Sequence, residues 1–190
     1  RNTRRQRQMC IRDSSNISPY FLDLYNLIDS TFLFSEKAII ALTMTFVIIA
    51  RQIDLSVASI IAVSSVVLGY TTSLGYDTWL VLLLTLLSGA LCGAFNGAII
   101  TKFAIPSIIV TIGTMSLFRG LAYSFLEDSY YNKFPKLVGK LGGGYLYGYI
   151  PYAFLTFILL AFVFAFILHK TSVGKKIYSI GNNPDAAQYT

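Results

Sequence analysis

The sequence predicts an all-α, polytopic transmembrane helix bundle, and three observations carry that expectation. Stretches without Asp, Glu, Lys or Arg recur: Leu55–Tyr76 is 22 residues, Thr78–Thr101 is 24, Phe103–Phe118 is 16 and Leu141–His169 is 29. About 20 helical residues cross the hydrocarbon core of a bilayer. Composition agrees, since 55% of residues are hydrophobic, 13% are charged and the mean hydropathy is +0.62, values that exclude an ordinary soluble domain. The runs are also too long and too evenly apolar for barrel strands of about 10 alternating residues. Helices, which close their backbone hydrogen bonds internally, must do the spanning.

Residues 1–14 form a basic head in which Arg1, Arg4, Arg5, Arg7 and Arg12 face only Asp13, so most of the net charge of +6 is local. That charge does not mark a nucleic-acid partner. The string Met9-Cys10-Ile11-Arg12-Asp13-Ser14 back-translates to a transposon-end adapter, and the head is expected to be non-native. A basic cytoplasmic tail is the alternative. Residues 15–33 read as an interfacial amphipathic segment, with Phe21, Leu22, Leu24, Leu27 and Ile28 set against Asp23, Asn26 and Asp29.

Residues 34–168 are expected to hold about five spans: Phe34–Ala50, Leu55–Thr72, Trp79–Ile100, Ile105–Leu126 and Tyr149–Leu168. The connections are short except for a surface loop, Glu127–Gly148. Arg51, Lys102, Lys170, Lys175 and Lys176 follow the first, third and fifth spans and place those ends in the cytoplasm. Lys133, Lys136 and Lys140 then lie outside, offset in part by Glu127 and Asp128. The orientation puts the first span's start outside, which calls for an earlier crossing, and the tail at 169–190 stops abruptly. The chain is therefore expected to be a fragment at both ends.

Several polar and small residues stand out inside the spans. Asp54 opens the second span with Ser56 and Ser59 beyond it, as a helix cap or as the junction of a broken helix near a conduction path. Gly89, Gly93 and Gly97 recur at every fourth position and predict close helix packing. Asn96 lies beside that stripe, and a carboxamide in hydrocarbon needs a partner, either a neighbouring helix or a polar pathway. Ser107, Thr111 and Thr114 share one helical face. They bond preceding carbonyls or line a path for a polyol. Arg119 interrupts an apolar segment and either faces a cavity or snorkels outward.

Cys10 and Cys92 are too few for a disulfide framework or a metal site. The sequence has no G-x-x-x-x-G-K-[ST] loop, no H-E-x-x-H and no G-x-S-x-G. Its one histidine, His169, sits at a span end beside Lys170. No catalytic residue, metal or cofactor is expected.

Four ordered motifs together resemble one family. Met44-Thr45-Phe46-Val47-Ile48-Ile49 leading to Ile53-Asp54-Leu55-Ser56-Val57, then Gly93-Ala94-Phe95-Asn96-Gly97, then Ile105-Pro106-Ser107 through Met115 with Arg119-Gly120, and finally Thr171–Lys176 through Gly181-Asn182-Asn183-Pro184-Asp185-Ala186-Ala187 look like the permease subunit of ribose-type ABC sugar importers. The resemblance covers about residues 34–190. It implies a multi-pass protein of the bacterial inner membrane, surrounded by lipid, that passes a ribose-, xylose- or rhamnose-like monosaccharide inward. It also implies a second permease subunit, a cytoplasmic ATPase and a periplasmic sugar-binding protein. Residues Gly181–Ala187 would form the segment that couples to the ATPase. Arg51-Gln52 departs from the small residues, often glycines, that commonly precede Ile-Asp-Leu-Ser, and Ala58 stands where glycine is frequent. Two other readings are an ion-coupled secondary carrier, which needs no docking segment, and an intramembrane enzyme, which needs a buried nucleophile with a base in reach.

Overall fold

The computed structural model describes residues 2–18, 20–21, 23–127 and 130–183. Eight helices and a small hairpin follow in order among them: α1 (Asn2–Ile17), α2 (Leu24–Ile49), α3 (Val57–Ser73), α4 (Thr78–Phe103), α5 (Ser107–Leu126), α6 (Lys136–Gly143), β1 (Tyr145–Leu146), β2 (Ile150–Pro151), α7 (Tyr152–Lys170) and α8 (Ser172–Asn182). Four of these, α2, α4, α5 and α7, are long and apolar enough to cross a membrane, and α3 is a shorter apolar helix. Its 17 residues reach about 26 Å.

Two boundaries differ from the sequence expectation. The amphipathic stretch before Phe34 is continuous with the first span, because no proline or glycine between Leu24 and Ile49 breaks the helix. The expected loop Glu127–Gly148 also holds structure. Pro135 leads into α6, and β1 pairs with β2 through a turn in which Tyr147 and Gly148 both have positive φ, 50° and 78°. That backbone matches the twist of an antiparallel hairpin.

The chain divides into two compact units, Arg1–Leu42 with Lys140–Ala165 and Thr43–Gly139 with Phe166–Thr190. In the first, Phe34 and Phe157 meet edge to face at 6.1 Å, Phe32 stacks on Tyr145 at 6.2 Å, and the Tyr145 hydroxyl donates to Asp29 at 3.3 Å.

In the second unit, α3 packs along both α4 and α5. Small or hydroxylated side chains make up most of what these helices bury: Ser59, Gly69 and Thr71 on α3, Thr111, Thr114 and Ala122 on α5, beside Val81 and Asn96 on α4 and Val110 and Phe118 on α5. This is the expected composition where lipid removes the hydrophobic drive for helix association and close backbone contact replaces it. Corner chemistry sets the order of the three helices. Gly75, at φ +76°, ends α3, the Asp77 carboxylate accepts from Trp79 N at 3.0 Å to start α4, and Ala104, at φ +51°, ends α4 two residues before Pro106.

Candidate functional site

The site begins where α2 stops. Arg51 N donates to Ile48 O at 2.9 Å and Gln52 N to Val47 O at 3.0 Å, while Arg51 itself takes a left-handed backbone, φ +57°. Residues 53–55 then run without helical hydrogen bonds. Unpaired peptide groups at membrane depth cost several kcal/mol each, so irregular backbone there has to be satisfied by protein. The first turn of α5 supplies the partners. Ser107 Oγ accepts from Ile53 N at 3.1 Å, and Thr111 Oγ1 donates to Ile53 O at 3.3 Å. Two hydroxyls four residues apart on one helix face thus clamp both polar atoms of one peptide residue.

A second set of bonds starts one residue on. Asp54 Oδ1 accepts from Ser56 N at 2.8 Å and from Ser56 Oγ at 2.6 Å, an Asx turn leading into α3. The hydroxyl's only proton is therefore committed, and its lone pairs face α4. Asn96 must present its NH2 group there, and Nδ2 donates to Ser56 Oγ at 2.8 Å. The relay runs in one direction, from Asn96 to Ser56 to Asp54. It leaves Asn96 Oδ1, and separately Ser59 Oγ, buried with no hydrogen-bond partner among the described residues. Ser56 and Ser59 are fully buried and Asn96 is 4% exposed.

Four of the sequence-selected residues, Asp54, Ser56, Asn96 and Thr111, thus meet in one cluster, with Ser107 beside them. Thr114 is buried one turn further along α5, its hydroxyl on Thr111 O at 3.4 Å. Arg119 stands apart, exposed and about 18 Å along α5 from Ser107. The glycine stripe is not one continuous contact within this chain. A Cβ on Gly89 would lie 3.2 Å from Ser64 Oγ, whereas Gly93 and Gly97 face open space. Gly181 and Asn182 end α8 and Asn183 caps it. Pro184, Asp185, Ala186 and Ala187 lie outside the described residues, as does the start of a further helix expected there.

Sequence reasoning missed four features. The clamp on Ile53 and the unpartnered Ser59 were signalled only by hydroxyls at a spacing of four opposite a segment without helical pattern. The seat of Gly181 against Ile49 and that of Tyr131 against Gly69 carried no local signal, because each joins residues far apart in the chain. Among the described residues no group of three or more His, Cys, Asp or Glu side chains is placed to hold a metal.

Apolar helices of spanning length, three of them joined by a largely buried hydrogen-bond cluster, define a multi-pass membrane helix bundle. The chain belongs to the family described as branched-chain amino acid transport system / permease component, which matches residues 26–190. It is a multi-pass protein of the inner membrane. Among curated relatives it is 34% identical to the autoinducer 2 import system permease protein LsrC of Escherichia coli O9:H4 (strain HS), over 90% of this chain and 52% of that protein. It is 33% identical to the autoinducer 2 import system permease protein LsrD of Klebsiella pneumoniae, over 91% of this chain and 54% of that one, and 34% identical to LsrC of Photorhabdus laumondii, over 86% and 50%. The chain thus spans about half the length of these relatives. No solved structure matches it significantly.

Proposed function

We propose that the chain is part of the permease subunit of a binding-protein-dependent ABC importer that passes a small, neutral, polyhydroxylated molecule of the monosaccharide class into the cell. The observation that carries this is the pair of buried, unpartnered groups, Asn96 Oδ1 and Ser59 Oγ, beside the Asp54–Ser56–Asn96 relay. A buried acceptor without a partner costs about 1–3 kcal/mol, and a passing hydroxyl relieves that cost. Thr111 and Thr114 extend the same neutral lining, while Arg119 lies too far along α5 to share it.

The family description names branched-chain amino acids, and the relatives above are named for autoinducer 2. An amino acid carries a carboxylate and an ammonium that each call for a fixed counter-charge. The only charged side chain in the cluster is Asp54, whose Oδ1 already accepts two bonds from Ser56. The neutral lining therefore favours a polyol or autoinducer 2 over leucine. With basic span ends inward, the cluster and α8 face the cytoplasm, where the segment through Asp185–Ala187 would meet an ATPase subunit. A second permease subunit and a periplasmic binding protein complete the assembly.

The test is uptake by the full-length protein with its ATPase and binding protein in vesicles, comparing ribose, rhamnose, autoinducer 2 and leucine with and without ATP. ATP-dependent uptake of one of the first three, lost in Asn96→Leu at unchanged membrane levels, is the expected result. Uptake that follows an ion gradient and ignores ATP points to a secondary carrier, and uptake of leucine alone overturns the substrate class.

A further inference from the structure

The face that α8 turns inward is made of glycine. Of its described residues only Gly174 and Gly181 are buried, and they lie seven apart, hence on one side of the helix. A methyl built on Gly174 would overlap the Leu168 carbonyl oxygen, and one built on Gly181 would overlap the Ile49 carbonyl oxygen and lie 3.0 Å from the Ile49 carbonyl carbon. Lys175 and Lys176 are exposed. Thr171 caps the helix start, its Oγ1 accepting from Gly174 N at 3.4 Å. The seat is backbone on backbone at both points, with no flexible side chain between that could absorb a displacement.

Ile49 is the last residue of α2, two before left-handed Arg51 and four before Ile53, the residue clamped by Ser107 and Thr111. Asp54 comes next, and its carboxylate sets the proton of Ser56 and so the place of Asn96. We propose that Gly181 and Ser107 are positioning residues for the polar cluster: one at each end, at Ile49 and at Ile53, they hold the strap of residues 50–55, and the strap holds the Asp54–Ser56–Asn96 relay in register. α8 is then linked to the buried cluster through one short stretch of backbone. A shift of α8 that presses on Ile49 moves Ile53 relative to α5 and loosens the Asp54 bonds. The role in transport rests on the importer reading, whereas the link itself does not.

Hydrogen exchange of the full-length protein in lipid nanodiscs without ATPase tests the link. The Ser56 amide, bonded to Asp54, reads the relay. Gly181→Ala and Ser107→Ala should each speed its exchange about tenfold, within the range that coupled networks show. Lys176→Ala, on the exposed face of α8, should leave it unchanged. Unchanged Ser56 exchange in Gly181→Ala overturns the proposal, as does equal acceleration by Lys176→Ala. Where Gly181→Ala fails to insert, Ser107→Ala decides, because it leaves the α8 seat intact, and unchanged Ser56 exchange there is again fatal. If both variants accelerate exchange while the wild type shows no ATP-driven uptake, the importer reading falls and the positioning roles stand.

Discussion

The two ends of α3 are held by different physics. At the end that opens with Ser56, bonds of defined direction reach two neighbours: Ser56 to Asn96 on α4, and the preceding Ile53 to Ser107 and Thr111 on α5. At the other end the described hold is a ring on a glycine. A Cβ on Gly69 would fall 2.6 Å from the Tyr131 ring, and Tyr131, Val66 and Ala122 together line two open grooves of about 370 and 290 Å³. Hydrogen bonds between helices in lipid fix register, while van der Waals contact beside open grooves leaves room to tilt. The Ser56 end therefore carries the geometry of the bundle, and the Gly69 end carries its freedom.

The largest expected effect comes from breaking the first hold. Asp54→Ala removes the acceptor of two bonds to buried Ser56, one of them from the hydroxyl that orients Asn96. Bonds to a charged group are worth about 1.5–3 kcal/mol each, so unfolding in detergent should show a loss of about 3 kcal/mol. A loss below about 1 kcal/mol would mean that the carboxylate is solvated and the relay is incidental.

Next comes the other end. Gly69→Ala forces the Tyr131 ring off α3 and should cost about 2 kcal/mol, in the range of overpacking. Because Tyr131 sits outside the helices, Tyr131→Ala should restore most of that loss in the double variant. A purely additive double variant would show that the ring is not what Gly69 accommodates.

These contrasts explain what could be read from the chain alone. The spans were legible because lipid demands long, uncharged helices, and α4 and α5 lie within a few residues of expectation. Asp54, Ser56, Asn96 and Thr111 were legible as candidates because polar groups in hydrocarbon need partners. Their meeting was not, since it depends on α5 folding back through Ala104 and Pro106 to reach Ile53. Gly93 and Gly97 show the converse, a strong local pattern that, unlike Gly89, meets no neighbour among the described residues. The hairpin after α6 was missed because its turn relies on Tyr147, a residue with no sequence preference for positive φ.

A smaller test separates the clamp from the relay. Thr111→Val keeps shape but removes the donor to Ile53 O, and should cost about 1 kcal/mol, the net worth of one neutral hydrogen bond. Ser56 and Asn96 keep their bond in that variant. A cost near that of Asp54→Ala would show that Thr111, rather than Ser107, is the main hold on the strap and through it on the relay.

The smallest effect runs the other way. Arg51 holds φ +57°, a conformation that penalises any residue with a Cβ, and its side chain is exposed. Arg51→Gly relieves that strain at the hinge between α2 and the strap. The added freedom of glycine in the unfolded chain offsets part of the gain, leaving a rise of about 0.5 kcal/mol in detergent unfolding. If Arg51→Gly lowers stability instead, the guanidinium contributes more at the bilayer interface than the left-handed turn costs, and the Ser56 end is anchored by charge as well as by its hydrogen bonds.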